Sequence, residues 1–370
     1  MGFNKENMIH YFPGSLDNQS DRASSKRPFE IQEFLKERGN KGDVVISGNS
    51  KQRLALLYEV LERDDIESLN YIYIESTNMP LFLNEIRGRS FQWYKELKAI
   101  GKLKKKGVKI ILFYRDMYWR FPEFKKSSFS WKVKVFFHWM EWVLIAKHVD
   151  LLLLPTGPIQ EYLPENELPK LEFHPGIIEW DEKLLEHKET SEKNQKIKLL
   201  YVGGVIPPFY KLFLALDLVK NVKNLELTIC CRDYEWARVK HMYSDYDFDR
   251  VNIVHKSGEE LIPLYLSHNV FLDLREPVDY YKYAFPYKYI ESISYNMPLV
   301  ILKGSSAEDF VTKNNFGWAC KDLEEAIQLF SSFDVDSMLD YQREIQKNKH
   351  QYSWENRFQY LDAEVKKLSN

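Results

Sequence analysis

The chain has 370 residues, enough for two domains of ordinary size. Lys and Arg number 52 against 54 Asp and Glu, a formal charge of −2, which argues against a nucleic-acid binder acting through overall basic charge. With 44% apolar and 29% charged residues the composition also excludes a disordered chain, and three cysteines without a CxxC pair exclude a disulfide framework and imply a reducing compartment.

The first residues lack the apolar core of a signal peptide, and Glu6 stands where a myristoylation motif needs Ser or Thr. The longest apolar stretch, Trp142 to Leu154, is cut by Lys147, His148 and Asp150, too short to span a bilayer. The expectation is a soluble cytoplasmic chain, at most peripheral on the inner face of a membrane.

Short β-branched and aromatic runs at Met8–Phe12, Val44–Ser47, Tyr71–Glu75, Val108–Phe113 and Val149–Leu154 read as strands. Helical patterns at about Arg27–Arg38, Gln52–Arg63, Leu83–Ile100 and Phe129–Lys147 lie between them. This alternation predicts βαβ units around a parallel sheet, whose ligands sit beyond the carboxyl ends of the strands. The loops there are therefore the candidates. Pro13–Asp21 follows the first strand, and its Gly14 permits close approach, although an ordinary surface loop reads the same way. After the Val108–Phe113 strand come Arg115 and Asp116, either a structural ion pair or a carboxylate and guanidinium serving a reaction. Residues 95–147 carry 14 Lys and Arg against 4 Asp and Glu, interleaved with ten Phe and Trp. That mixture suits an anionic membrane surface, or a helix burying its aromatic face under a basic one.

Glu179–Lys196 is polar and charge-rich, a linker, giving boundaries of 1–176, a linker at 177–196, a second domain at 197–351 and a closing helix at 352–370 that packs back on the first domain. The second half repeats the grammar, with strands at Lys198–Val202, Leu225–Cys230, Val251–Val254, Val270–Leu274 and Leu299–Leu302 and an edge strand at Trp318–Ala319. Helices fall near Phe209–Lys220, Tyr234–Tyr243, Glu259–Ser267, Pro286–Tyr295, Ala307–Lys313 and Leu323–Phe330, and 336–368 reads as all helical. Its first strand ends at Gly203-Gly204, either a ligand approach or a tight strand-to-helix turn. In the segment from Tyr283 to Val300, Pro286 suits the first turn of a helix, Glu291 sits about one turn inside, and Asn296 suits a left-handed cap. The acidic spacings Asp245–Asp249 and Asp334–Asp336 lack the context of a metal motif, and the nine His show no metal-ligand companions.

The stretch Phe285-Pro-Tyr-Lys-Tyr-Ile-Glu291, followed by Asn-Met-Pro-Leu-Val300, resembles the signature of GT-B glycosyltransferases of the family 4 type. The order of Gly203-Gly204, Val251–Gly258, Asp273-Leu274-Arg275 and Tyr352-Ser-Trp-Glu355 is similar to that family's donor domain, closely over 197–370 and loosely over 1–175. The resemblance implies an α/β fold of two Rossmann-like parallel-sheet domains facing each other across a cleft, and retaining transfer from a nucleotide-diphosphate sugar without a bound metal or cofactor. It implies that Gly203 and Gly204 lie against the diphosphate or the acceptor edge and that Glu291 binds the ribose hydroxyls. Phe285, Pro286, Tyr287 and Lys288 would hold diphosphate and sugar, Lys256 would lie by the base, and Asp116 with Arg115 by the reacting sugar.

Two departures stand out. Tyr283 occupies the place of the first Glu of the family's paired glutamates, and the basic pair after the glycine turn is missing, leaving Arg232 as the candidate against the leaving diphosphate, with Lys288 and Arg275 in reserve. The expected partners are a nucleotide sugar, a saccharide or lipid-linked saccharide acceptor in cell-surface polysaccharide assembly, and an anionic membrane surface, with no nucleic acid. A catalytically silent glycan-binding or partner-supporting subunit, and a sugar-nucleotide epimerase, are the rival readings.

Overall fold

The computed structural model describes residues 6–16, 23–80, 92–177, 196–276 and 278–368. It divides into two compact units, one of Met1–Pro175 with Trp354–Asn370 and one of Gly176–Ser353.

The first unit is built on a parallel sheet of β1 (Asn7–Tyr11), β2 (Val44–Ile46), β3 (Leu69–Glu75), β4 (Lys109–Phe113), β5 (Leu151–Leu154) and β6 (Lys170–Glu172), in the order β2-β1-β3-β4-β5-β6. Both faces are covered, which is why β3 to β5 read as nearly unbroken apolar runs. Its helices are α1 (Ala23–Arg38), α2 (Ser50–Leu61), α3 (Gln92–Lys105) and α4 (Phe129–Ala146). The last helix of the chain, α12 (Trp354–Lys367), also belongs to this unit, with Trp354 and Phe358 buried against Tyr71, Tyr73, Phe113 and Phe173. Phe358 stacks on Phe34 of α1 at 5.3 Å, and Asp362 accepts the Tyr71 hydroxyl at 2.7 Å.

The second unit has a parallel sheet of β7 (Ile197–Val202), β8 (Leu225–Cys230), β9 (Val251–Val254), β10 (Val270–Asp273), β11 (Leu299–Leu302) and β12 (Gly317–Cys320), in the order β12-β11-β10-β7-β8-β9. One face packs α5 (Phe213–Asn221) and α10 (Leu323–Ser331); the other packs α7 (Ile262–Ser267), α8 (Tyr287–Ser294) and α9 (Glu308–Lys313). Between these runs α6 (Asp233–Val239), and α11 (Val335–Asn348) precedes α12. The first strand, β7, has neighbours reached in opposite directions, so the chain reverses its winding between β7 and β10, the place where such sheets bind ligands.

Several expectations shift. β6 went unread because three residues, Lys-Leu-Glu, at a sheet edge carry no period. The helix expected from Phe209 starts at Phe213, after a turn at residues 207–209. The one expected over Glu259–Ser267 splits into a 3-10 turn at Gly258–Leu261 and α7, where Pro263 opens a new helix. Asn296 adopts the left-handed conformation, at φ 53°. The expected linker falls mainly on residues 178–195, and the start of the Leu83–Ile100 helix on 81–91, both outside the described residues.

Candidate functional site

In the second unit the candidates gather along the carboxyl edge of the sheet. Gly203 and Gly204 leave β7 with ordinary backbone angles, so their lack of a side chain answers to crowding. A Cβ on Gly203 would lie 2.9 Å from the Tyr201 hydroxyl, and one on Gly204 3.1 Å from the Tyr210 ring. Tyr201 also donates to the Gly204 carbonyl at 2.6 Å. Two tyrosines thus occupy the space beside the glycines that the sequence left open to a ligand.

The expected replacement for the basic pair, Arg232, caps α6 and contacts Glu235 at 2.6 Å while its side chain stays 45% exposed. Glu235 is buried, and its other oxygen accepts the Val205 N–H at 3.2 Å. Arg232 is therefore tied to the glycine turn through a carboxylate that the sequence reading missed.

Arg275, beyond β10, makes a two-pronged pair with Asp273, which also accepts the Tyr289 hydroxyl at 2.8 Å. Its guanidinium lies 4.6 Å from the Tyr281 ring centre and 5.3 Å from that of Tyr210. Tyr281 in turn donates to the Phe209 carbonyl at 2.8 Å. These contacts lock Arg275 beside the glycine turn, at the reversal of the sheet.

Pro286 caps α8, as the sequence places it. One turn in, Glu291 is buried, and one of its oxygens accepts both the Lys288 ammonium, at 2.5 Å, and the Tyr265 hydroxyl, at 2.9 Å. Tyr265 lies flat on Tyr295 with ring centres 4.9 Å apart. Phe285 meets Phe310 edge-on at 5.1 Å, Tyr287 is buried, and Tyr283 is buried where the resemblance wanted a carboxylate. Lys256, beyond β9, pairs loosely with Glu260 at 3.5 Å, and its carbonyl accepts the Cys230 thiol. Burial raises the Cys230 pKa and pushes that of Cys231 up to about 12, so both are protonated core thiols.

In the first unit Asp116 accepts the Tyr118 N–H at 2.9 Å, closing the turn after β4. Arg115 holds Asn78 with its side chain and the Ser76 hydroxyl with its backbone N–H, both at 2.9 Å. Gly14 donates to the Phe12 carbonyl, and a Cβ there would meet the Phe12 ring at 2.9 Å; residues 17–21 of its loop lie outside the described residues. Below these loops sits a group that the sequence did not announce. Arg27 of α1 reaches Glu75 at 3.5 Å and the Tyr73 hydroxyl at 2.8 Å, with its guanidinium 3.4 Å above Phe113. Burial raises the Glu75 pKa against the pull of Arg27, and burial with Arg27 pushes His10 down to about 3, so His10 is neutral.

The discounted acidic motifs are local caps: Asp334 accepts the N–H groups of Asp336 and Ser337, and Asp247 that of Asp249. Among the described residues no group of three or more His, Cys, Asp or Glu could hold a metal ion.

Residues 272–353, which contain Asp273, Arg275 and the whole of α8, match the family model of the glucosyltransferase 3-like C-terminal domain. No curated protein matches the chain. Among solved structures, Anabaena HepE in complex with UDP and glucose is 12% identical, with a TM-score of 0.59 over 98% of this chain and 100% of that one. Sucrose-phosphate synthase from Thermosynechococcus elongatus is 12% identical at 0.63, over 98% and 99%. The trehalose 6-phosphate synthase of Burkholderia multivorans is 10% identical at 0.58, over 98% and 99%. At such identities the likeness is one of fold, and the fold is that of the GT-B glycosyltransferases.

Proposed function

We propose that the chain is a glycosyltransferase that moves a sugar from a nucleoside-diphosphate donor to an acceptor hydroxyl, with the donor on the second unit. The observation that carries this reading is the buried Glu291 carboxylate, held one turn inside α8 by Tyr265 and Lys288. A carboxylate fixed in this way suits the two hydroxyls of a ribose, each of which donates to it. The first turn of α8, at Tyr287 and Lys288 just after Pro286, offers backbone N–H groups to a diphosphate.

Charge decides which side chains meet the leaving group. Arg232, Arg275, Lys256 and Lys288 are each paired with a carboxylate, so an incoming diphosphate has to draw a cation from its partner. The Arg275 side chain is 13% exposed in its two-pronged pair, whereas those of Arg232 and Lys288 are 45% and 28% exposed. Arg232 and Lys288 are our candidates for the phosphates, where charge builds up as the bond to the sugar breaks, and Lys256, 47% exposed, is left for the base. On the first unit, Asp116 orients or deprotonates the acceptor hydroxyl, with Arg115 beside it. Transfer with retention and without a metal, and an acceptor from cell-surface polysaccharide assembly on the cytoplasmic side, complete the proposal; they rest on the family resemblance.

Anabaena HepE was crystallised with UDP and with UDP-glucose, which makes these the first ligands to test. Calorimetric titration with UDP, GDP, dTDP and their sugar conjugates is expected to show selective binding that Glu291→Ala abolishes. A second reading, a catalytically silent GT-B subunit, is favoured by Tyr283 in place of the family's glutamate; no binding to any of these ligands would select it.

A further inference from the structure

The helix α4 wears its polarity inverted. Its 18 residues turn His138 and Glu141 inward with Trp142 and Ile145, while Phe129, Phe136, Trp139 and Val143 face outward. These four are 81%, 62%, 38% and 51% exposed. Positions 129, 136 and 143 recur every seven residues and 139 falls between them, so they form one stripe along about 21 Å of helix. A helix that only had to cover the sheet would place its rings inside and its His and Glu outside.

The rim of the stripe is basic. Lys125 and Lys126 precede the helix, Lys132 lies on the exposed face itself, and Lys147 follows the last turn, all exposed. Arg120 sits over Trp139 at 5.1 Å. Residues 95–147 carry a net +10 in a chain whose total is −2, so the remainder is net acidic and the cations are concentrated around this helix.

We infer that the outer face of α4 docks on a bilayer containing anionic lipid, with the stripe entering the headgroup region and the lysines meeting the phosphates. Aromatic side chains flanked by Lys and Arg fit that boundary, where rings bury at acyl depth while ammonium groups stay with the headgroups. Charge argues against a second copy of the chain as the occupant: a two-fold contact through this face would set Lys125 and Lys126 against the same lysines if the helices ran parallel and against Lys147 if they ran antiparallel, like charge on like charge either way. The helix lies on the membrane and does not cross it; no described helix is long and apolar enough to span. The inference goes beyond the donor chemistry, and it would place the first unit where a lipid-linked acceptor is found.

The test is flotation of the full chain with vesicles of phosphatidylcholine alone and with phosphatidylglycerol added. Binding is expected only with the anionic lipid, weakening as salt is raised. Phe129→Ser/Phe136→Ser, at exposed positions that leave the core intact, should weaken it roughly tenfold or more, and Lys125→Gln/Lys126→Gln/Lys132→Gln by a similar factor. The inference fails if the chain stays unbound at low salt, if neutral vesicles bind equally, or if either variant binds like the parent. It also fails if sedimentation velocity shows a dimer that Phe129→Ser/Phe136→Ser dissolves, since the face would then be a self-interface. Titration of the same proteins with UDP separates the two readings: nucleotide binding without vesicle binding removes this inference alone, and the converse removes the donor reading alone.

Discussion

The hydroxyl of Tyr265 and the ammonium of Lys288 converge on a single oxygen of Glu291, at 2.9 and 2.5 Å. Two donors on one oxygen fix the rotamer of the carboxylate and turn its other oxygen to a defined direction. Tyr265→Phe removes one donor and leaves the stack on Tyr295 in place. The variant is expected to fold, to lose about 1 kcal/mol of stability, and to bind UDP several-fold more weakly. Glu291→Ala should lose far more of the binding. Equal UDP affinity in Tyr265→Phe and the parent, by calorimetry, would show that Tyr265 does not position Glu291.

Among the described residues the carboxylate that pairs with Arg232 is Glu235, which keeps the Val205 N–H when the arginine is removed. Arg232→Ala should therefore leave the glycine turn intact and weaken UDP binding about tenfold, more at low ionic strength, because a half-exposed cation acts through a screened field. Glu235→Gln retains an acceptor for Val205 but releases the guanidinium, so its UDP affinity should equal or exceed that of the parent. Titrations at two salt concentrations decide the point; an affinity that ignores both substitutions takes Arg232 out of the site.

A Cβ at position 203 would sit 2.9 Å from the Tyr201 oxygen and 3.1 Å from the carbon that bears it. Gly203→Ala must push this buried ring and its bond to the Gly204 carbonyl, at an expected cost of about 1–3 kcal/mol. Tyr201→Phe withdraws the oxygen that is crowded. The double variant should then be more stable than the sum of the two single losses by about 1 kcal/mol, as read from denaturant unfolding. Strict additivity would mean that the ring moves freely and that the glycine answers to something else.

What the sequence made legible follows from how local each signal is. β7, β8, β10 and β11 are apolar runs, and each is found within two residues of its reading. Pro286, Lys288, Glu291 and Asn296 lie in one segment, so helix spacing alone sets their relation. Their partners were hidden by distance along the chain: Tyr265 lies 26 residues before Glu291, and Val205 lies 30 before Glu235. Arg27 and Glu75 are separated in the same way, and a buried arginine looks in sequence like any helical surface residue. For α4 the aromatic and basic mixture was visible, but not which rings face outward, because inward His138 and Glu141 overturn the ordinary amphipathic rule.

Asp116 accepts the Tyr118 N–H through one oxygen, a role that an asparagine side-chain carbonyl can fill. Asp116→Asn is therefore expected to fold like the parent and to keep UDP affinity. If the carboxylate deprotonates or orients the acceptor hydroxyl, transfer should fall by about 10²-fold or more with donor binding unchanged. Product formation and UDP titration on the same preparation test this, and a fully active, stable variant would confine Asp116 to closing its turn.

Asp362 gives the first unit a pH dependence that can be assigned to one group. Burial raises its pKa from the usual 3.8 to about 6, against the opposing pull of the Tyr71 hydroxyl and Arg38. The native state therefore holds the Asp362 proton more tightly than the unfolded chain does. This contribution to stability is present below pH 4 and is lost as pH rises through 6, when the buried carboxylate must ionise. The span corresponds to an upper limit of about 3 kcal/mol for the group. Asp362→Asn keeps an acceptor for Tyr71 without the charge, so it should gain stability relative to the parent at pH 8 and lose that advantage at pH 4. Denaturant midpoints for both proteins across this range measure the difference directly. A gap that stays constant with pH would mean that Asp362 ionises as easily in the fold as in the unfolded chain, and that Arg38, 4.0 Å away, meets the full cost of its burial.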